Sequence, residues 1–230
     1  RKPAAAASRQ SSQCDRELPV TMTGLQPALG AGFGCGTIVG MDSLRPRRSV
    51  LFMPGANARA LEKARSIDCD GIIIDLEDAV APDLKVEARE RAAGVVKEHP
   101  YGYREVAIRV NGMDTQWYHD DLAAAVAAGP DAIAVPKVGS AEHVHAIVAD
   151  MEAAGADESV KLWAMIETPR AVLDCLDIAE ASDRLTVLIM GTNDLTKELR
   201  AAPVAGRAPV VPGGQRCLLA GPAAGGARGV

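Results

Sequence analysis

The sequence predicts an α/β protein built as a TIM (β/α)8-type barrel that is truncated after about six β/α units. From residue 49 to residue 195, short apolar runs alternate with segments of helical periodicity, and no hairpin turn signal separates consecutive runs. This alternation favours parallel strands joined by right-handed crossovers. Polar residues follow nearly every predicted strand. That favours a barrel, because the alternative, an open doubly wound sheet, gathers its ligands at one switch point.

Each predicted element has local signals. The predicted strands cover residues 49–53, 71–78, 106–110, 132–135 and 162–167, and a sixth starts at residue 188 and leads to Asp194. The predicted helices cover residues 58–66, 82–98, 117–128, 141–154 and 169–181. Asn57 is a suitable N-cap, and Pro82 suits the first turn of its helix. The pairs Asn111-Gly112 and Pro136-Lys137 end the third and fourth strands.

The chain divides into three parts by composition. Residues 1–46 are rich in Ala, Ser, Gln and Gly without sustained periodicity, which predicts a flexible N-terminal extension. Residues 47–200 form the predicted barrel. Residues 201–230 are rich in Pro and Gly, and we expect an irregular or disordered tail with no room for two further units.

Composition excludes several classes of function. The chain has 230 residues, a net charge of −5 and a pI near 5.4, which argues against a nucleic-acid surface. No apolar run approaches the ~18 residues needed to span a membrane. Its five cysteines have no metal-finger spacing and indicate reduced, intracellular thiols. We therefore expect a soluble, cytoplasmic protein that binds neither nucleic acid nor membrane.

Two carboxylates at predicted strand ends indicate a metal site. Glu167 ends the fifth apolar run, and Asp194 follows the sixth. Mg²⁺ is commonly held by one or two protein carboxylates together with substrate oxygens and water. Helix caps or solvated loop carboxylates are the alternative interpretation.

Six short motifs, taken together, resemble the HpcH/HpaI aldolase and citrate lyase β-subunit-like family, and most closely its CoA-ester lyase branch. They are LFMPGAN at 51–57, DLEDAV at 75–80, IRVNG at 108–112, VPK at 135–137, IETP at 166–169 and GTNDL at 191–195. Each motif alone is weak, but their order at predicted strand ends is specific. The resemblance covers roughly residues 47–200.

The resemblance implies a Mg²⁺-dependent barrel, with Mn²⁺ as an alternative ion, that makes or breaks a carbon–carbon bond beside a thioester or keto acid. Matched by motif, Glu167 and Asp194 are metal ligands, and Glu167 also faces the substrate. Arg109 binds the substrate carboxylate, and Glu77 and Asp78 form the catalytic acidic strand end. The partners implied are an oxo acid, a CoA thioester and further copies of the chain, as a homo-oligomer, in the family a trimer.

Several assignments have structural alternatives. Arg109 can instead neutralise Glu77 or Asp78 as an ion pair at the barrel rim, and Asp78 can simply cap the segment that follows it. Lys137 is interpreted as a solvated rim residue. Four further residues, His143, His145, Cys69 and Cys175, are interpreted as surface or core residues without a catalytic role.

The leading functional hypothesis is cleavage of a 3-hydroxyacyl-CoA, such as citryl-CoA or malyl-CoA, into acetyl-CoA and an oxo acid. The alternatives are an aldolase on free hydroxy-keto acids, a malyl-CoA-type thioesterase, and an inactive truncated fragment. The incomplete barrel favours the fragment, whereas the intact set of strand-end acids argues against it.

Overall fold

The computed structural model describes residues 45–98 and 100–224. The expected N-terminal extension therefore lies outside the described residues, apart from residues 45 and 46. Six strands form one parallel sheet in the order β1 to β6. They are Val50–Pro54, Gly71–Asp75, Glu105–Arg109, Ala132–Val135, Lys161–Ile166 and Leu185–Met190. Strictly consecutive order is that of a barrel, because a doubly wound sheet reverses its order at the switch point.

Eight α-helices follow within the described ranges. They are α1 Ala58–Ala64, α2 Lys85–Lys97, α3 Tyr118–Ala128, α4 Ala141–Ala153, α5 Pro169–Leu173, α6 Cys175–Glu180, α7 Thr192–Glu198 and α8 Val211–Ala223. Short 3-10 turns cover Pro82–Leu84 and Ala205–Arg207. In this part of the chain no helix has both the length and the apolar composition that crossing a membrane requires.

Several elements differ from the sequence prediction. The strand predicted over residues 71–78 ends at Asp75, so Glu77 and Asp78 lie in the loop that follows it. The helix predicted over residues 169–181 is two short helices that meet at Asp174. The sixth strand begins at Leu185, before the apolar run at residue 188, and a bulge against Leu162 and Trp163 absorbs one extra residue. Asp194 consequently lies in the first turn of α7 rather than at a strand end.

Alternation along the strands divides the buried residues into two cores. The larger core lies between the sheet and the helices and contains Ile72, Ile108 and Ile133. A separate inner cluster comprises Ile73, Ala107, Ala132, Ala134, Trp163 and Val187. Since side chains two apart share a face, Asp75 follows Ile73 and Arg109 follows Ala107 on the inner face. The alternation that directs Ile73 and Ala107 into the barrel interior thus also directs the charged side chains of Asp75 and Arg109 there, at the carboxyl ends of their strands.

The expectation of an irregular tail over residues 201–230 is wrong for residues 211–223, which form α8. This helix packs against α5, α6 and β6, with Cys217 and Ala220 buried in the core. Pro212 is tolerated because it lies in the first turn, where the missing N–H has no intrahelical partner. A Cβ on Gly213 would lie 3.0 Å from the Met190 methyl group, so this glycine permits close packing.

Ala220→Arg should destabilise the protein by displacing α8, whereas Leu219→Arg on the same helix should not. Ala220 is 4% exposed and Leu219 is 74% exposed. We expect the first change to lower the free energy of unfolding by about 2 kcal/mol or more, and the second to change it by less than about 0.5 kcal/mol, as measured by urea denaturation. Equal effects of the two changes would contradict the packing of α8.

Candidate active site

A cavity of about 470 Å³ opens at the carboxyl ends of the strands. Four of the five predicted site residues line it, namely Asp78, Arg109, Glu167 and Asp194. The fifth, Glu77, contacts Arg109 at 2.8 Å. The strand ends therefore bring together all the residues that the sequence selected, from β2, β3, β5 and the start of α7.

Arg109 is held by carboxylates on two sides. Its Nε and Nη2 donate to the two oxygens of Asp75 at 2.7 and 2.6 Å, a two-pronged pair buried from solvent. Its Nη1 lies 2.8 Å from Glu77 and 3.8 Å from Asp78. The ion-pair alternative considered for Arg109 is therefore present in the structure, with Asp75 as its principal partner.

Asp75 is the site residue that sequence reasoning missed. Besides Arg109, its carboxylate accepts the backbone N–H groups of Glu77 at 2.8 Å and Ala79 at 3.0 Å. It is 1% exposed, so these four contacts compensate its loss of hydration. The signal available in the sequence was its position two residues after Ile73, which places it on the same inner face as Arg109.

Asp78 differs from its neighbours because its side chain is 70% exposed. It does not cap the following helical turn, whose N-cap residue is Ala81. The proposed cap is therefore wrong, and Asp78 remains a solvent-exposed carboxylate at the mouth of the cavity.

Glu167 is fixed by two unusual features of the backbone. One carboxylate oxygen accepts the N–H of Lys137 at 2.9 Å, and Lys137 has φ 55°, a left-handed conformation uncommon for residues with a side chain. Gly191 lies against the other side, where an added Cβ would be only 2.3 Å from the Glu167 side chain. The carboxylate, 2% exposed, is consequently confined between two loops.

Asp194 completes the pair of carboxylates at this end of the cavity. It accepts a hydrogen bond from Lys197 Nζ at 2.9 Å, and Lys197 itself is largely exposed. Within residues 45–98 and 100–224, no cluster of three or more His, Cys, Asp or Glu side chains has the geometry of a metal site. Glu167 and Asp194 offer carboxylate oxygens, a type of ligand that suits Mg²⁺ with water and substrate oxygens rather than zinc.

Two carboxyl groups of the site, those of Glu77 and Glu167, have a raised pKa. Burial raises the pKa of Glu77 to about 7. Arg109 opposes this rise, and the charges of Asp78 and Glu167 add to it. Burial also raises the pKa of Glu167, the hydrogen bond from the Lys137 N–H opposes it, and the charge of Asp194 adds to it. A bound cation would relieve this excess of negative charge.

The residues interpreted as non-catalytic lie away from the cavity. His143 accepts the N–H of Gly139, and His145 contacts the carbonyl of Ala181. Cys69 and Cys175 are buried in the outer core. Lys137 differs from these residues: its side chain is exposed and does not line the cavity, but its backbone N–H donates to Glu167 and its charge acts on both Glu77 and Glu167.

A second cavity, of about 320 Å³, lies at the amino ends of the strands. Its charged side chains are already paired: Arg45 with Asp131 at 3.0 Å, and Arg104 with the carbonyls of Ile67 and Tyr101. This arrangement leaves little for a ligand to bind, so the cavity at the carboxyl ends is the candidate active site.

The sequence profile of the HpcH/HpaI aldolase/citrate lyase family matches residues 48–228. The chain belongs to this family, which confirms the resemblance inferred from the motifs. The (3S)-malyl-CoA thioesterase of Cereibacter sphaeroides (strain ATCC 17025 / ATH 2.4.3) is 47% identical over 175 residues, covering 76% of this chain and 59% of that protein. The citrate lyase subunit beta of Escherichia coli (strain K12) is 35% identical over 161 residues, covering 68% of this chain and 53% of that protein.

The chain thus spans less than two thirds of the length of either relative. A solved structure of the citrate lyase β subunit from M. tuberculosis, complexed with oxaloacetate and magnesium, superimposes with a TM-score of 0.61 at 26% identity. The match covers 78% of this chain and 75% of that chain. The expected α/β barrel-type fold is confirmed, with six consecutive parallel strands in the described residues, and the family is one of lyases and aldolases.

Gly191→Ala should weaken cation binding because the new methyl group displaces the Glu167 carboxylate. We expect the affinity for Mg²⁺, measured by titration calorimetry, to fall at least about tenfold, or about 1.4 kcal/mol. Gly214→Ala is the matched control, since a Cβ there meets no atom within 4 Å. Equal affinity in both variants would contradict the role assigned to this contact.

Glu77→Gln should change how stability depends on pH in the metal-free protein. Because folding raises the pKa of Glu77 to about 7, its stabilising effect is complete below the unfolded-state pKa and is lost as the pH rises towards 7. The stability of the parent relative to Glu77→Gln should therefore fall between about pH 5 and pH 7, by at most about 1.4 kcal/mol per pH unit. Denaturation in the presence of a chelator measures this difference, and a difference independent of pH would contradict it.

Proposed function

We propose that this chain carries the magnesium-dependent site of a carbon–carbon lyase that cleaves a 3-hydroxyacyl-CoA, such as malyl-CoA or citryl-CoA, into acetyl-CoA and an oxo acid. The observation that carries the proposal is the convergence of Glu167, Asp194 and Arg109 on one cavity, with Glu77 in contact with Arg109. The M. tuberculosis relative solved with oxaloacetate and magnesium supports it.

Glu167 and Asp194 are the residues that would hold the cation. Both are oxygen donors, both line the cavity, and the charge of Asp194 raises the pKa of Glu167. Mn²⁺ is an alternative ion for the same oxygen ligands. When bound, the cation supplies positive charge where negative charge develops on the substrate oxygens.

Arg109 is the residue assigned to the substrate carboxylate. Asp75 holds one edge of its guanidinium, and Nη1 pairs with Glu77 and lies 3.9 Å from the Met165 sulfur. Protonation of Glu77 would free Nη1 to bind the carboxylate of an oxo acid. The planar guanidinium would then orient that acid beside Glu167.

Glu77 is the residue assigned to proton transfer, with Asp78 as a second acid at the mouth of the cavity. A carboxyl group whose pKa is about 7 is suited to exchange a proton near neutral pH. In cleavage, the Asp78 carboxylate would accept the 3-hydroxyl proton, the bond between the second and third carbons would break, and protonated Glu77 would donate its proton to the acetyl-CoA carbon. Both carboxyl groups lie beside Arg109, at 2.8 and 3.8 Å from its Nη1, and so near the carbon that bears the hydroxyl next to the bound carboxylate.

Hydrolysis is the second candidate, favoured by the 47% identity with a (3S)-malyl-CoA thioesterase. It would release malate and free CoA from malyl-CoA by cleaving the thioester with water. An aldolase on free hydroxy-keto acids would act without CoA. A fragment without turnover is a further alternative.

We also propose a homo-oligomer, since within the described residues β1 pairs only with β2 and β6 only with β5, which leaves two open edges.

Incubation of the full chain with malyl-CoA and Mg²⁺ separates the candidate reactions. A lyase yields glyoxylate and acetyl-CoA without a free thiol, whereas a thioesterase yields a free thiol without glyoxylate. We expect glyoxylate, with Glu167→Gln and Asp194→Asn each reducing its rate at least about a hundredfold. Glu158→Gln and Asp177→Asn, exposed and outside the cavity, are matched controls.

A free thiol without glyoxylate would replace the lyase with the thioesterase. No product from malyl-CoA or citryl-CoA, together with cleavage of a free hydroxy-keto acid, would favour the aldolase. No product from any of these substrates in a folded protein would favour the fragment without turnover.

A further inference from the structure

A buried lysine lies behind the acidic loop that follows β2. Lys85, the first residue of α2, is 5% exposed and does not line the cavity. Its ammonium group donates three hydrogen bonds, each of 2.7 Å, to the carbonyls of Leu76 and Glu77 and to Oδ1 of Asn111. All three donors of the side chain are therefore used, and all three acceptors are uncharged.

Such a buried cation is costly unless its contacts compensate the loss of hydration. Burial lowers the pKa of Lys85, while the charges of Asp75 and Asp121 act in the opposite direction. The Trp117 ring lies 5.3 Å from the ammonium nitrogen. Two of the three acceptors are consecutive backbone carbonyls of the acidic loop, so the contact acts on the backbone of that loop.

The partner Asn111 is itself rigidly held. Its side-chain amide donates to the Leu76 carbonyl at 3.0 Å and to Asp121 at 2.5 Å. Asp121, which is fully buried, also accepts from Arg89 Nε at 2.6 Å. A continuous chain of charged and polar contacts thus leads from α2 and α3 to the carbonyls of the acidic loop.

The backbone of the loop of residues 76–79 is consequently held by hydrogen bonds on two sides. Asp75 accepts the N–H groups of Glu77 and Ala79, and Lys85 binds the carbonyls of Leu76 and Glu77. Both peptide groups of Glu77 are fixed in this way. Its carboxyl group can then approach Arg109 in only a narrow range of positions.

We propose that Lys85 is a positioning residue that holds the backbone of residues 76–79, and with it the Glu77 carboxyl, in place beside Arg109. Its importance for turnover rests on the proposed function of Glu77, whereas its effect on the loop does not. Removal of the ammonium group leaves the Glu77 carbonyl without this partner and releases one side of the loop.

Amide hydrogen exchange in the full chain tests the effect on the loop directly. In Lys85→Met we expect the amides of Glu77 and Ala79 to exchange at least about tenfold faster, because their local opening becomes easier. The amide of Gly191, which donates to Ile166 on the far side of the cavity, should change less than about twofold. Lys97→Met is the matched control, since Lys97 is exposed in the same helix.

Steady-state kinetics with malyl-CoA test the consequence for turnover. We expect Lys85→Met to lower kcat by about ten- to a hundredfold while leaving KM within about threefold, because the acid is misplaced but the cation ligands are not. Mg²⁺ affinity, measured by calorimetry, should match that of the parent. A general loss of structure would instead also raise KM and lower the affinity for Mg²⁺.

The outcomes separate this proposal from the proposed function. Unchanged exchange at Glu77 and Ala79, or exchange that rises equally at Gly191, would overturn the positioning role. Faster loop exchange with an unchanged kcat would overturn the link to turnover. Faster loop exchange in a chain whose parent is inactive would support the positioning role and contradict the lyase.

If Lys85→Met does not fold, Lys85→Gln, which keeps an amide donor without the charge, is measured in its place. Failure of both variants to fold would overturn the proposal, since Lys85 would then be required for the whole fold rather than for one loop.

Discussion

The two-pronged ion pair between Asp75 and Arg109 is the contact on which the rest of the site depends. Parallel pairing places these residues directly opposite each other at the carboxyl ends of β2 and β3. The carboxylate that holds the guanidinium also accepts two N–H groups of the following loop. The buried side chain of Asp75 therefore sets the position of both the Arg109 guanidinium and the loop that carries Glu77. Removing either partner of such a pair costs about 3–5 kcal/mol, because the other charge is left buried and unpaired.

Around this pair, the cavity holds more negative than positive charge. Burial and mutual repulsion raise the pKa values of Glu77 and Glu167, whereas Arg109 and the Lys137 N–H oppose the rise. Glu167 is confined by a left-handed residue on one side and a glycine on the other. The Glu167 side chain thus has little conformational freedom before any ligand binds. A carboxylate fixed in this way would position a bound cation to stabilise the negative charge that develops on a substrate.

Much of the fold could be predicted from the sequence because the periodicity of short strands and amphipathic helices is local. The order of the strands follows from that alternation, and the positions of Glu77, Glu167 and Asp194 shortly after β2, β5 and β6 follow from their places in the chain. Asp75 was missed because the prediction assigned the functional role to the last residues of the acidic run, Glu77 and Asp78. Its position two residues after Ile73, on the same face of the strand, was not used. Lys85 falls within the helix predicted over residues 82–98, and only the tertiary structure shows that its side chain reaches back to the loop. The helix α8 was not predicted because of its glycine and proline content. The structure tolerates Gly213 through close packing and Pro212 through its position in the first turn.

In the proposed site, Glu167 and Asp194 together would hold a divalent cation in the cavity beside Arg109. A crystal structure of the full chain grown with Mn²⁺, which accepts the same oxygen ligands as Mg²⁺ and scatters anomalously, would test this arrangement. We expect one anomalous peak in contact with both carboxylates, with oxygen ligands at roughly the distances of a hard divalent ion. A peak elsewhere, or no peak in a well-ordered cavity at saturating Mn²⁺, would contradict it.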